Sequence, residues 1–315
     1  MLISIEGVDG RVRETLASGL RVSRPDARLQ AYRLHPVAQP PLEALVAMPT
    51  QPSGLLFHFP GFNVPLGPWE ALRCTTLAAA TGLAVVAIEL PGLSRLGHRL
   101  PDPVRRDLRD GRVGSWAELS LTYLWLAAAE AGIDGLPVRL LSGFSTGCSV
   151  AVAAHRQLGV EAGLSLIEPV SLGSRSLVAL EAANLADLAR MPRALIGNRD
   201  WVAQEWRRQL AAPGVRYSVG DLLAIASMLA GRSIPDELAQ PAWCLIARGE
   251  HSSLCRPAEF DALDALLARR RVPGPTLTVT GLGHQLWHRL SAMSAIAGRL
   301  ADASDLPRGN TPGRP

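Results

Sequence analysis

From about residue 29 onward, short apolar runs bounded by Gly and Pro alternate with longer segments of helical periodicity. This alternation constrains the fold more than any other feature, because parallel strands need a crossover between them, usually a helix. Strands are predicted over residues 29–34, 42–48, 55–59, 83–90, 138–142, 163–167, 243–247 and 277–280, and helices over 68–80, 115–131, 146–158, 257–270 and 285–301. The fold class is therefore α/β, with an eight-stranded, mostly parallel sheet flanked by helices. Ser115 and Glu118 have the spacing of a capping box and predict where the second helix starts. Residues 91–114, rich in Pro, Gly and Arg, read as a solvated loop.

Residues 171–240 are too long for a simple crossover and hold several helix-like stretches. They predict a helical cap inserted after the sixth strand, over the carboxyl edge of the sheet. The expected plan is a core of residues 29–170 and 241–303, a cap of 171–240, an N-terminal extension of 1–28 whose role is open, and a disordered tail of 304–315.

All 32 basic residues are Arg, and the chain contains no Lys. Mechanisms that need a lysine ammonium are excluded: Schiff-base chemistry, pyridoxal-phosphate chemistry and the Walker phosphate loop. The net charge of +4 does not point to nucleic acid, because Arg is spread along the chain among Asp and Glu. Cys74, Cys148, Cys244 and Cys255 show no metal-ligand spacing and read as reduced packing residues. No apolar run reaches the eighteen or so residues of a membrane span, and the first residues lack the pattern of a secretory signal. A soluble, cytoplasmic protein without a membrane partner is the expectation.

One segment carries chemistry. Gly143-Phe144-Ser145-Thr146-Gly147 lies between the apolar strand 138–142 and the apolar helix 146–158. A Ser in such a sharp strand-to-helix turn projects its hydroxyl above the sheet, beside helical N–H groups that can stabilise an oxyanion. The flanking glycines admit close backbone where a Cβ would clash. Downstream, His284 sits in Thr280-Gly-Leu-Gly-His-Gln-Leu-Trp287, between the last strand and the last helix. His284 and His288 also share a four-residue spacing, but Gln285 stands where the zinc-protease motif needs Glu, so no metal is expected.

Over residues 29–300 the sequence resembles the α/β-hydrolase superfamily. The resemblance implies Ser145 as nucleophile, His284 as general base, and the Thr146 N–H as one oxyanion donor. The second donor would come from the turn after the third strand, where His58-Phe59-Pro60-Gly61-Phe62 departs from the usual His-Gly. Pro60 has no N–H, which leaves Gly61 or Phe62, while His58 reads as a structural histidine.

The acid is less direct. Most of the family has Asp after the seventh strand, yet Gly249-Glu250-His251-Ser252 puts Ser252 at that position. A minority of the superfamily, including a branch of the haloalkane dehalogenases, places Glu after the sixth strand. Leu164-Ser-Leu-Ile-Glu-Pro-Val170 has Glu168 there. Glu168 is the leading candidate and Glu250 the alternative. The implied activity is that of a serine hydrolase acting on a small-molecule ester, thioester or amide, without a cofactor. An acyltransferase, lyase or cyclase on the same fold, or a retired hydrolase serving as a binding protein, are the other readings. Met191, Trp201, Trp206, Leu222, Leu223, Ile225 and Met228 are expected either to line an apolar pocket or to form the cap's own core.

Overall fold

A computed structural model describes residues 2–8, 11–16, 27–36, 39–62, 64–159, 162–190 and 216–304. Met191, Trp201, Trp206 and residues 305–315 of the expected tail 304–315 lie outside them, while Ser304 is the last residue of a helix. All eight expected strands are present, as β3 (Arg28–Leu34), β4 (Leu42–Met48), β5 (Leu55–Phe59), β6 (Ala84–Ile88), β7 (Val138–Phe144), β8 (Gly163–Ile167), β9 (Trp243–Gly249) and β10 (Gly274–Val279). The N-terminal extension adds β1 (Leu2–Val8) and β2 (Arg11–Leu16). The sheet order is β1-β2-β10-β9-β8-β7-β5-β6-β4-β3, so the extension lengthens the sheet at the β10 edge.

From β6 through β5, β7, β8 and β9 to β10 every pairing is parallel, while β4 pairs antiparallel with both β6 and β3. Central strands are buried on both faces, which explains their unbroken apolar runs. Alternation still sorts the side chains: Leu55, Phe57 and Phe59 of β5 enter one core, and Leu56 enters the other. The first core holds α3 (Gly114–Glu130), α4 (Thr146–Leu158) and α8 (Pro257–Arg269) against the sheet; the second holds α1 (Pro68–Thr81) and α9 (Leu290–Ser304). Among the described residues, Trp116 and Trp287 are the largest fully buried side chains.

Two local expectations fail. Residues 102–109 of the expected loop form helix α2 (Asp102–Arg109). Val104 and Leu108 fall on one face and are buried, and Asp102 and Arg109 complement the helix dipole at opposite ends. The capping box at Ser115 does not form, because α3 already starts at Gly114 with Val113 before it. The Val113 N–H donates to Glu237 Oε1 at 2.9 Å, so a distant side chain meets the N–H of the residue that precedes the helix.

Between β8 and β9 the described residues form α5 (Leu177–Leu188), α6 (Val219–Leu229) and α7 (Ser233–Glu237). Ile225 and Met228 are buried among core residues, whereas Leu223 is exposed. None of the described helices is long and apolar enough to cross a membrane.

Candidate active site

The strands β7 and β8 each end on a residue with positive φ. Ser145, directly after β7, has φ 54° and ψ −118°, and Glu168, directly after β8, has φ 55°. Such backbone costs about 1–3 kcal/mol per residue and persists only where its surroundings impose it. At Ser145 the surroundings are backbone. A Cβ on Gly147 would lie 2.0 Å from Phe59 O, and one on Gly143 would lie 2.5 Å from Cys148 Cα. The Ser145 N–H donates to Ile167 O at 2.9 Å, and the Glu168 N–H donates to Ala247 O at 2.7 Å, so both turns stay tied to the next strand.

His284 enters from the 3₁₀ turn His284–His288 that follows β10. Its Nε2 lies 2.8 Å from Ser145 Oγ, and its Nδ1 lies 2.9 Å from Glu168 Oε2. With the proton on Nδ1 held by the carboxylate, Nε2 presents its lone pair to the Ser145 hydroxyl. All three side chains are buried, and Phe144 stacks on the His284 ring with centroids 5.5 Å apart.

Glu168 is fully buried, and three donors surround its carboxylate: His284, the Gly249 N–H, and Ser252 Oγ at 2.6 Å. Ser252 stands where the resemblance to the α/β-hydrolases predicts Asp. A second carboxylate this close to Glu168 would repel it and raise the pKa of one of the two, whereas a hydroxyl donates a hydrogen bond. Sequence reasoning saw Ser252 only as a missing acid and missed this contact, for which residues 249–252 hold no local signal. Glu250 points elsewhere: its side chain is half exposed, and Oε2 accepts the Gly281 N–H at 2.8 Å.

The structure brings Gly61, Phe62 and Thr146 to the same place. Thr146 opens α4, Phe62 lines the cavity, and a Cβ on Gly61 would lie 3.2 Å from Ser145 Cβ. Above them is a cavity of about 780 Å³ whose apolar wall includes Phe62, Trp69, Val170, Leu180, Leu222 and Leu229. Its polar lining includes Arg73, Arg95 and Gln285.

Under the His284 turn lies a buried ionic cluster that had not been anticipated. Arg73 of α1 pairs with Glu70, donates from Nε to Trp287 O at 3.0 Å, and approaches His288 Nδ1 at 2.5 Å. Burial lowers the Arg73 guanidinium to about 9 and, with Arg73 beside it, His58 to about 3. Burial, then Arg73 and His284, also hold His288 well below the ordinary histidine value. Both histidines are therefore neutral at pH 7, and His58 lies fully buried in β5. The visible signal was Glu70 and Arg73, three apart and the only charged residues of that helix.

No family model and no curated protein matches the chain. Among solved structures it is similar to an esterase from Pyrobaculum calidifontis, with 18% identity and a TM-score of 0.53 over 89% of this chain and 87% of that one. It is similar to a thermophilic esterase from Thermogutta terrifontis, at 19% identity and TM-score 0.54, covering 87% and 99%. A thioesterase domain from the curacin biosynthetic pathway gives 18% identity and TM-score 0.52, covering 86% and 98%. The chain has the α/β-hydrolase fold. In that fold ligands meet the protein outside the carboxyl ends of the strands, which is where Ser145, Glu168 and His284 converge here.

Proposed function

We propose that this α/β-hydrolase-fold protein is a serine hydrolase that cleaves an ester, thioester or amide through an acyl-enzyme on Ser145. The observation that carries the reading is the unbroken line from Ser145 Oγ through both nitrogens of His284 to buried Glu168, at the floor of a largely apolar cavity. As Ser145 attacks the carbonyl carbon, His284 Nε2 takes the hydroxyl proton and later gives it to the leaving group. Glu168 holds the imidazole in the required tautomer and stabilises the imidazolium. The Thr146 N–H, with Gly61 or Phe62, receives the developing oxyanion. Water, activated by the same His284, then attacks the acyl-enzyme and releases the acid. The described residues between β8 and β9 form part of a cap whose apolar side chains, Leu180 and Leu222 among them, receive the apolar part of the substrate.

The reading is supported by fold as well as geometry, since the solved structures similar to this chain include esterases and a thioesterase. The test is covalent. Wild-type protein should react with a fluorophosphonate probe and hydrolyse p-nitrophenyl butyrate, with the label on Ser145 by peptide mass. Ser145→Ala should do neither, losing at least about 10⁴-fold in rate while keeping its circular dichroism. Labelling of Ser145→Ala at the wild-type rate would show that another group is the nucleophile.

A further inference from the structure

Asp187 lies near the end of α5, outside the line Ser145–His284–Glu168, and its side chain is 1% exposed. A buried carboxylate needs partners, and those of Asp187 lie far away in sequence. Its Oδ2 accepts the N–H groups of Ser253 and Leu254, each at 2.9 Å, and its Oδ1 accepts from Arg190 at 3.1 Å. Arg190 Nη1 also donates to His251 O and Ser253 Oγ, both at 2.9 Å. Arg175, just before α5, donates to Leu254 O at 3.0 Å.

The loop gripped in this way is the one that carries Ser252. Ser252 gives its hydroxyl to Glu168 and accepts the Cys255 N–H at 3.1 Å, so its rotamer depends on the path of residues 251–255. The same loop is laced to the His284 loop. The His251 N–H donates to Leu282 O at 2.8 Å, and a Cβ on Gly283 would lie 3.1 Å from Asp187 Oδ1. Asp187 thus sits where the acid loop, the base loop and α5 meet, and α5 itself lines the cavity through Leu180 and Leu188.

We infer that Asp187 is a positioning residue, setting the conformation of residues 251–255 that aims Ser252 at Glu168 and thereby registering α5 on the catalytic machinery. The inference rests on the serine-hydrolase reading above. A pair of charge-assisted bonds from one carboxylate to consecutive backbone N–H groups holds a loop more tightly than neutral contacts do. Without it, the 251–255 backbone gains other conformations in which the hydroxyl no longer reaches Glu168.

The test is a double-mutant cycle on the full chain, with p-nitrophenyl butyrate as substrate and temperatures well below Tm. Asp187→Ala should lower kcat about tenfold with KM within about twofold of wild type. Asp187→Asn, whose amide oxygen can accept both N–H bonds, should stay within about threefold of wild type. In a Ser252→Ala background, Asp187→Ala should cost less than about threefold, because the hydroxyl it positions is gone. An Asp187→Ala protein with lower Tm but unchanged kcat, or effects of Asp187→Ala and Ser252→Ala that simply multiply, would overturn the inference and leave Asp187 a structural anchor. If Asp187→Ala does not fold, Arg190→Met at a half-exposed position substitutes for it. A kcat drop of about threefold is then expected, and an unchanged kcat overturns the proposal. Activity surviving Ser145→Ala would instead sink the hydrolase reading itself, so the two failures are distinguishable.

Discussion

At the Ser145 end of the hydrogen-bonded line the geometry is held by backbone packed against backbone, while at the Glu168 end it is held by side chains reaching between loops. Gly143 and Gly147 let β5, β7 and α4 approach so closely that no other residue fits. The Glu168 carboxylate is held by the side chains of His284 and Ser252, from two loops, and by the Gly249 N–H at the end of β9, all 81 to 116 residues away in sequence. The contrast explains why the Ser145 turn has a recognisable pattern and the acid does not. Close approach demands one residue type at one position, whereas a buried charge demands only that some donors arrive.

Four substitutions test the contrast, and the largest effect belongs to the packed end. Gly147→Ala should destabilise the protein by more than about 4 kcal/mol or abolish soluble expression, because its Cβ must displace the backbone of residues 59 and 60. Urea unfolding would measure this. Near wild-type stability would mean that the turn is not closely packed, and the comparison would break.

At the other end the fold should survive and the rate should not. Glu168→Gln is expected to lower kcat by about 10³-fold with little change in KM, since the amide favours the wrong His284 tautomer and cannot stabilise an imidazolium. Glu250→Gln, half exposed and bonded to Gly281, should cost at most about tenfold. Steady-state kinetics on folded protein decides, and a reversed order would place the acid after β9.

The smallest effect concerns stability beneath the packed turn. His58 is fully buried, and burial together with Arg73 depresses it to about 3 from an ordinary 6.5. The unfolded chain therefore binds a proton at pH 5 that the folded chain refuses, so this contribution to stability is complete above about 6.5 and is lost as pH falls toward 3. His58→Gln should flatten the fall in urea midpoint between pH 7 and pH 5. An unchanged slope would mean that His58 is protonated or exposed in the native state.

Much of this was legible in the chain. The eight expected strands and the start of α4 at Thr146 follow from apolar runs punctuated by Gly and Pro, a property of neighbouring residues. The turn at Ser145 and the loop at His284 were visible for the same reason. Helix α2 was hidden by its Pro and Arg content, because its four-residue spacing of Val104 and Leu108 counts only once there is a core to bury them.

What the sequence determined by itself was the layered α/β architecture and the presence of a serine and a histidine in the turns that suit them, since periodicity and backbone strain act over a few residues. Only the tertiary structure decided which carboxylate meets His284, what the Ser252 hydroxyl bonds, and where the Asp187 charge finds its donors. Ser252 and Glu168 are 84 positions apart, and Asp187 is 66 from Ser253. Satisfying a buried charge is a matter of distance in space, and any donor that the fold delivers to within about 3 Å will serve.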